Sequence, residues 1–135
     1  MRAVLDANVL VSALLSPQGS PGLLLPRWID GDFDLVVSPR LLGEVERTLR
    51  SSKFRGRVTP DQRARYGAFL RLAEHVDDPR VVPARAPDKN DDYLLALAES
   101  DRAMLVSGDK HLLGLEHEYP VVSPRVFLET LEADD

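Results

Sequence analysis

Short apolar runs alternate with amphipathic stretches along this chain. Ala3-Val4-Leu5, Leu35-Val36-Val37, Met104-Leu105-Val106 and the shorter Val121-Val122 each read as a buried strand. Two of these runs end in the same word, Val36-Val37-Ser38-Pro39-Arg40 and Val121-Val122-Ser123-Pro124-Arg125. β-Branched residues favour a strand, Ser caps the helix that follows, and Pro fits the first helical turn, where its missing N–H has no partner to lose. The word therefore marks a strand-to-helix switch twice.

Helical spacing follows these switches. Leu41, Leu42, Val45 and Leu49 form one stripe, and Val126, Phe127, Leu128 and Leu131 another. Thr59-Pro60-Asp61-Gln62 is a capping-box start, with Tyr66, Phe69, Leu70, Ala73 and Val76 at helical spacing after it. Leu94, Leu95, Leu97 and Ala98 mark a helix behind the polar cluster Asp88–Asp92. Pro17–Pro26 enters a further helical piece around Leu23–Ile29, and Asp77–Asp88, broken by three prolines, reads as a loop or a poor edge strand. Strands alternating with helices imply right-handed crossovers, hence an α/β fold: a three-layer α/β/α sandwich on a central parallel sheet.

Composition narrows the class. The 135 residues include no Cys, which excludes a disulfide scaffold, a thiol nucleophile and a Cys-ligated metal centre. The length suits a single domain over 1–135. No apolar run approaches the ~18 residues of a membrane helix, and Asp6 interrupts any signal-peptide core, so the expectation is a soluble, cytoplasmic protein with no membrane partner. The net charge of −5 is uneven: Arg40–Arg71 holds nine cations against three anions, a local +6, leaving −11 on the rest. A basic flank on an acidic body suits a protein that grips phosphates beside a metal-binding centre.

The acids supply the candidate chemistry. In an open parallel sheet, sites form outside the carboxyl ends of the strands. Asp6 directly follows the first strand, Asp109 follows Met104–Ser107, Glu44 lies on the helix launched by the second strand, and Asp91 and Asp92 sit at a helix N-terminus. Singly, each has an ordinary reading as a turn residue, a helix cap or a partner for Arg40 or Arg47. Together, carboxylates ~6 Å apart repel by roughly 3 kcal/mol per pair at an effective dielectric near 20. Such a set needs a cation, and oxygen-only ligands point to Mg²⁺ or Mn²⁺. His75, His111 and His117 have no i,i+4 partner or matching motif.

Four segments then resemble the PIN-domain family, and most closely its bacterial toxin-like, VapC-type ribonuclease branch. They are Asp6-Ala7-Asn8-Val9-Leu10-Val11-Ser12-Ala13, Glu44 after Ser38-Pro39, Asp91-Asp92-Tyr93-Leu94-Leu95-Ala96-Leu97-Ala98 and Val106-Ser107-Gly108-Asp109-Lys110-His111-Leu112-Leu113. The resemblance implies an α/β/α fold and a Mg²⁺- or Mn²⁺-dependent endoribonuclease that acts as the toxin of a toxin–antitoxin system. It also implies a homodimer held inactive by a small antitoxin protein. By position it carries Asp6, Glu44, Asp92 and Asp109 onto the catalytic, metal-binding set. Asn8 supports the first acid, and Ser107 supplies the hydroxyl ahead of the last, where Thr is common. Of the adjacent pair, Asp92 takes the third acidic position because Tyr93–Ala98 then falls in the family register, and Asp91 becomes a supporting residue or cap. Asp6 and Asp92 would hold the first metal, with Glu44 and Asp109 completing its shell or binding a second. Arg47, Arg50, Lys53 and Arg55 would track the phosphates of an RNA substrate, with Leu23–Trp28 a candidate protein contact.

Two other readings use the same pattern. A phospho-acceptor domain would place its phosphate on Asp6 beside Lys110, but Asn8 stands where a phosphatase would carry its second Asp, and a receiver would want paired acids here. A catalytically inactive RNA- or protein-binding module has no reason to retain clustered charges. Gly-rich nucleotide loops are absent from the sequence.

Overall fold

The computed structural model describes residues 1–54 and 56–133, with backbone alone at residues 89 and 90. Among these, five strands form one all-parallel sheet: β1 (Arg2–Leu5), β2 (Asp34–Val37), β3 (Glu74–His75), β4 (Met104–Val106) and β5 (Val121–Val122), in the order β3-β2-β1-β4-β5. The register sets Ala3 beside Leu35 on one side and Met104 on the other, and Leu5 beside Val106. Ala3, Val4 and Leu5 are wholly buried, as a central strand covered on both faces must be.

The helices are α1 (Ala7–Leu15), α2 (Ser20–Ile29), α3 (Pro39–Arg50), α4 (Pro60–Leu70), α5 (Lys89–Ser100), α6 (Lys110–Leu113) and α7 (Pro124–Ala133), with a 3₁₀ turn at Ser52–Phe54. The chain builds outward from β1 to β3, then crosses back to β4 and β5. Right-handed crossovers therefore put α1–α4 on one face and α5 and α6 on the other, while α7 returns to pack on α2. The resulting three-layer α/β/α sandwich is the expected architecture. Its strand order reverses between β1 and β4, so the crevice at their carboxyl ends is the topological switch point.

Three local departures have physical causes. The helix α1 carries no readable amphipathic stripe, because only Asn8 and Ser12 are polar and Val9, Leu10, Val11 and Ala13 are all buried. The capping box at Thr59 and Gln62 forms, but α4 stops at Leu70, short of Ala73 and Val76. The chain turns there, and Glu74–His75 pairs with Val36–Val37 as the edge strand, so Ala73 and Val76 owe their apolar character to the sheet. In α2, Leu24 is fully buried and Trp28 packs on Phe69 with ring centroids 5.1 Å apart, which leaves Leu23 as the exposed large apolar residue of the expected contact segment Leu23–Trp28. Gly22 lets α2 approach the preceding turn, since a Cβ there would lie 2.4 Å from the Pro17 carbonyl oxygen.

Candidate functional site

The switch-point crevice is built from the two ends that meet there. Asp6 leaves β1 and serves as N-cap of α1, its Oδ1 accepting from the backbone N–H of Asn8 (2.7 Å) and Val9 (3.2 Å). Its Oδ2 accepts the Ser107 hydroxyl from the end of β4 at 2.5 Å. Ser107 Oγ in turn accepts the backbone N–H of Asp109 at 3.0 Å, so one fully buried hydroxyl joins the first and last acids of the set. Asp6 is only 5% exposed, and burial raises its pKa despite three hydrogen bonds that pull the other way. Asn8 supports Asp6 through its backbone, while its side chain is exposed.

Asp109 caps the short helix α6, with Oδ1 accepting from His111 N–H at 2.8 Å. Facing it is Asp91, from the first turn of α5. Burial first, then the charges of Asp109, Asp88 and Asp6, push the Asp91 carboxyl up to about 6. Asp91 Oδ2 is buried and has no hydrogen-bond partner. An orphaned carboxylate oxygen among like charges is a costly arrangement that a counter-ion would relieve.

Asp92 sits elsewhere. Its Oδ1 accepts the backbone N–H groups of Arg85 (2.8 Å) and Ala86 (2.6 Å), and these hydrogen bonds hold its pKa below the ordinary value. It fastens the 79–88 loop to α5 instead of entering the crevice. The sequence-based expectation gave the third acidic position to Asp92, whereas the acid coupled to Asp109 and Asp6 is its neighbour Asp91. Adjacent residues on a helix point about 100° apart, so only one of the pair reaches the switch point.

Glu44 stands at the rim. Its Oε2 accepts the Tyr93 hydroxyl at 2.7 Å, and its Oε1 lies 3.6 Å from Arg40 Nε. The Arg40 guanidinium also stacks 3.9 Å above the centroid of the Tyr93 ring. Tyr93 is 1% exposed, and burial together with the neighbouring Glu44 raises its phenol pKa. The charges of Asp6 act on both Asp91 and Tyr93, which ties the two halves of the site electrostatically. Neither Tyr93 nor Arg40 is singled out by sequence reasoning; Tyr93 opens an apolar helical run and resembles core, and Arg40 reads as an ordinary i,i+4 ion-pair partner.

Oxygen donors, an orphaned buried carboxylate oxygen and the raised pKa values of Asp6 and Asp91 fit a hard divalent cation in their chemistry. Among the described residues, no three His, Asp or Glu side chains are gathered closely enough to hold an ion as they stand. The acids are coupled across the crevice rather than packed together.

The basic flank lies next to Glu44. A groove of about 680 Å³ is lined by Arg40, Glu44, Arg47, Thr48 and Ser51. Arg47 and Arg50 are exposed on α3, Arg50 pairing weakly with Glu46 at 3.9 Å, and Lys53 lies 5.4 Å from the Phe54 ring centroid. Arg55 falls outside the described residues.

Comparison with known proteins agrees with this fold. An uncharacterized Methanocaldococcus jannaschii protein, MJ1680, is 27% identical over 144 residues, covering 98% of this chain and 92% of the relative. The Pyrobaculum aerophilum protein PAE2754 shares the fold with a TM-score of 0.68 at 19% identity, covering 98% of this chain and 90% of its own. So does a chain of VapBC2 from Rickettsia felis, solved bound to a DNA fragment from its promoter, with a TM-score of 0.61 at 16% identity over 91% of this chain and 98% of that one. The PIN-domain family pattern matches residues 2–111, a span that includes Asp6, Glu44, Asp91, Ser107 and Asp109, and the chain therefore belongs to the PIN-domain family.

Proposed function

We propose that this protein is a divalent-metal-dependent endoribonuclease, the toxin component of a toxin–antitoxin pair. PIN domains are generally nucleases. The observation that carries the reading is the coupling of Asp6, Asp91 and Asp109 across the switch point, with Asp91 Oδ2 left unpartnered. Asp6, Asp91 and Asp109 would hold Mg²⁺ or Mn²⁺, with Glu44 at the rim. When bound, such an ion supplies an activated water and offsets charge developing on the phosphate.

The chain's own residues do the rest. Ser107 fixes the carboxylates of Asp6 and the backbone of Asp109 relative to each other. Asp92 fixes the loop beside the N-terminus of α5 and so the direction in which Asp91 enters the crevice. Arg47, Arg50 and Lys53, with Arg55 in the same stretch, track the phosphates of a single-stranded RNA leading to Glu44. A small antitoxin is the partner this reading implies, by likeness to the Rickettsia felis complex. The phospho-acceptor reading fares less well, because both Asp6 oxygens accept hydrogen bonds and the group is buried.

The test is cleavage of an end-labelled RNA with added Mg²⁺ or Mn²⁺. Asp6→Asn should lose at least about 100-fold in rate while keeping its circular dichroism spectrum, and chelation should silence the wild type. Undiminished cleavage by Asp6→Asn, or cleavage that persists in chelator, refutes the proposal.

A further inference from the structure

Glu44 differs from the other acids of the site in how it is held. Asp6 and Asp109 are fixed by backbone N–H groups of the helices they cap, while Asp91 stands in the first turn of α5 with its Oδ2 unpartnered. Glu44 is on a longer side chain, about a turn and a half into α3, and among the described residues its carboxylate is met by side chains rather than by a helix-capping backbone N–H. Both of its oxygens are instead engaged by side chains: Oε2 by the Tyr93 hydroxyl at 2.7 Å, Oε1 by the Arg40 guanidinium at 3.6 Å.

These two partners are unequal. Tyr93 is rigid, a 1%-exposed ring on the helix that also delivers Asp91, with its oxygen at hydrogen-bonding distance. Arg40 is loose, its side chain 45% exposed and its contact with Glu44 longer than a hydrogen bond. Ion pairs with that much exposure contribute little and exchange readily. In the same position the Arg40 guanidinium stacks 3.9 Å above the Tyr93 ring, a contact that does not depend on Glu44, and Arg40 lines the open groove shared with Arg47.

We propose that Tyr93 is the positioning residue for Glu44, and that Arg40 is an exchangeable internal counter-cation that competes with a divalent ion for the same carboxylate. Tyr93 orients Glu44 toward the crevice, so that the rim acid is preset without a backbone contact. Arg40 neutralises Glu44 in the metal-free protein and yields to a cation of higher charge, keeping its stack on the Tyr93 ring. The inference rests on the metal-dependent reading above and assigns roles within that site.

The two roles predict opposite signs, which a merely structural role for either residue does not. Mn²⁺ binding is followed by loss of the free-ion electron paramagnetic resonance signal, using the full chain without RNA. Tyr93→Phe, which keeps the ring and the Arg40 stack, should weaken Mn²⁺ binding by about tenfold, the usual scale for a group that orients a ligand. Arg40→Gln, at an exposed position, should tighten it by about two- to fivefold. In a Glu44→Gln background both effects should vanish, because each acts through that carboxylate. Equal Mn²⁺ affinity in Tyr93→Phe and wild type, or effects that survive in Glu44→Gln, overturn the proposal while leaving the metal reading intact. Weakened binding in Arg40→Gln overturns the counter-cation role. Failure of the wild type to bind Mn²⁺ overturns the metal reading, and this inference with it.

Discussion

Asp91 and Asp92 are neighbours in sequence and opposites in chemistry. Asp91 has its carboxyl pushed up to about 6 by burial and by Asp109, Asp88 and Asp6, so in the metal-free protein the folded state binds its proton more tightly than the unfolded chain does. That contribution to stability is present below the ordinary carboxylate value and is lost as pH rises through about 6. Asp91→Asn should therefore melt a few degrees higher than wild type at pH 7 without metal, with the gap closing toward pH 4, and should lose Mn²⁺ protection against heat. Asp92 carries the reverse sign, since hydrogen bonds from Arg85 and Ala86 lower its pKa. Its contribution is present at neutral pH and fades in acid. Asp92→Asn should melt lower at pH 7, and backbone hydrogen exchange at Arg85 and Ala86 should quicken, while Mn²⁺ binding weakens far less than in Asp91→Asn. A higher melting temperature for Asp92→Asn, or a lower one for Asp91→Asn, would show that the assignment of the two acids is inverted.

At the scale of elements, tight junctions hold the sandwich in the shape that serves the site. Gly22 is one, because a methyl group there would meet the Pro17 backbone at 2.4–2.5 Å and one helix entry would have to move. Gly22→Ala should cost about 1–3 kcal/mol, read as a lowered denaturation midpoint with an unchanged slope. The Thr59–Gln62 capping box was legible in the sequence because its two hydrogen bonds are made between residues three apart. The end of α4 was not legible. Ala73 and Val76 keep helical spacing, yet the sheet captures Glu74–His75 beside Val36–Val37, and pairing with a strand far away in sequence outweighs local periodicity. The helix α1 is hard to read for a different reason, since Asn8 and Ser12 are its only polar residues and too narrow a polar face is left to mark a helical stripe.

For the whole molecule, charge is segregated. A local +6 on Arg40–Arg71 borders a crevice of acids in a chain of net charge −5. Phosphate tracking by that flank should make RNA affinity fall with salt, each neutralised phosphate of a single strand adding about 0.7 to the slope of log K against log salt. Arg47→Gln should weaken RNA binding several-fold at low salt and reduce that slope by about 0.7, measured by fluorescence anisotropy on a short labelled RNA. A slope unchanged in Arg47→Gln would remove the α3 face from the RNA path. No helix of the described residues is long and apolar enough to cross a membrane.

The residues themselves determined the fold class, because strand runs, Ser-Pro caps and the switch to helical spacing are local signals written in neighbouring positions. They also determined that acids stand beyond the carboxyl ends of β1 and β4, since Asp6 follows its strand directly and Asp109 comes three residues after the end of its own. Only the tertiary structure decided which acid of the Asp91–Asp92 pair enters the crevice. A rotation of about 100° per helical residue is invisible until a partner appears on each side, Asp109 for one and the Arg85–Ala86 backbone for the other. It likewise decided that Tyr93, core by its pattern, turns its hydroxyl to Glu44, because that contact joins residues 49 positions apart.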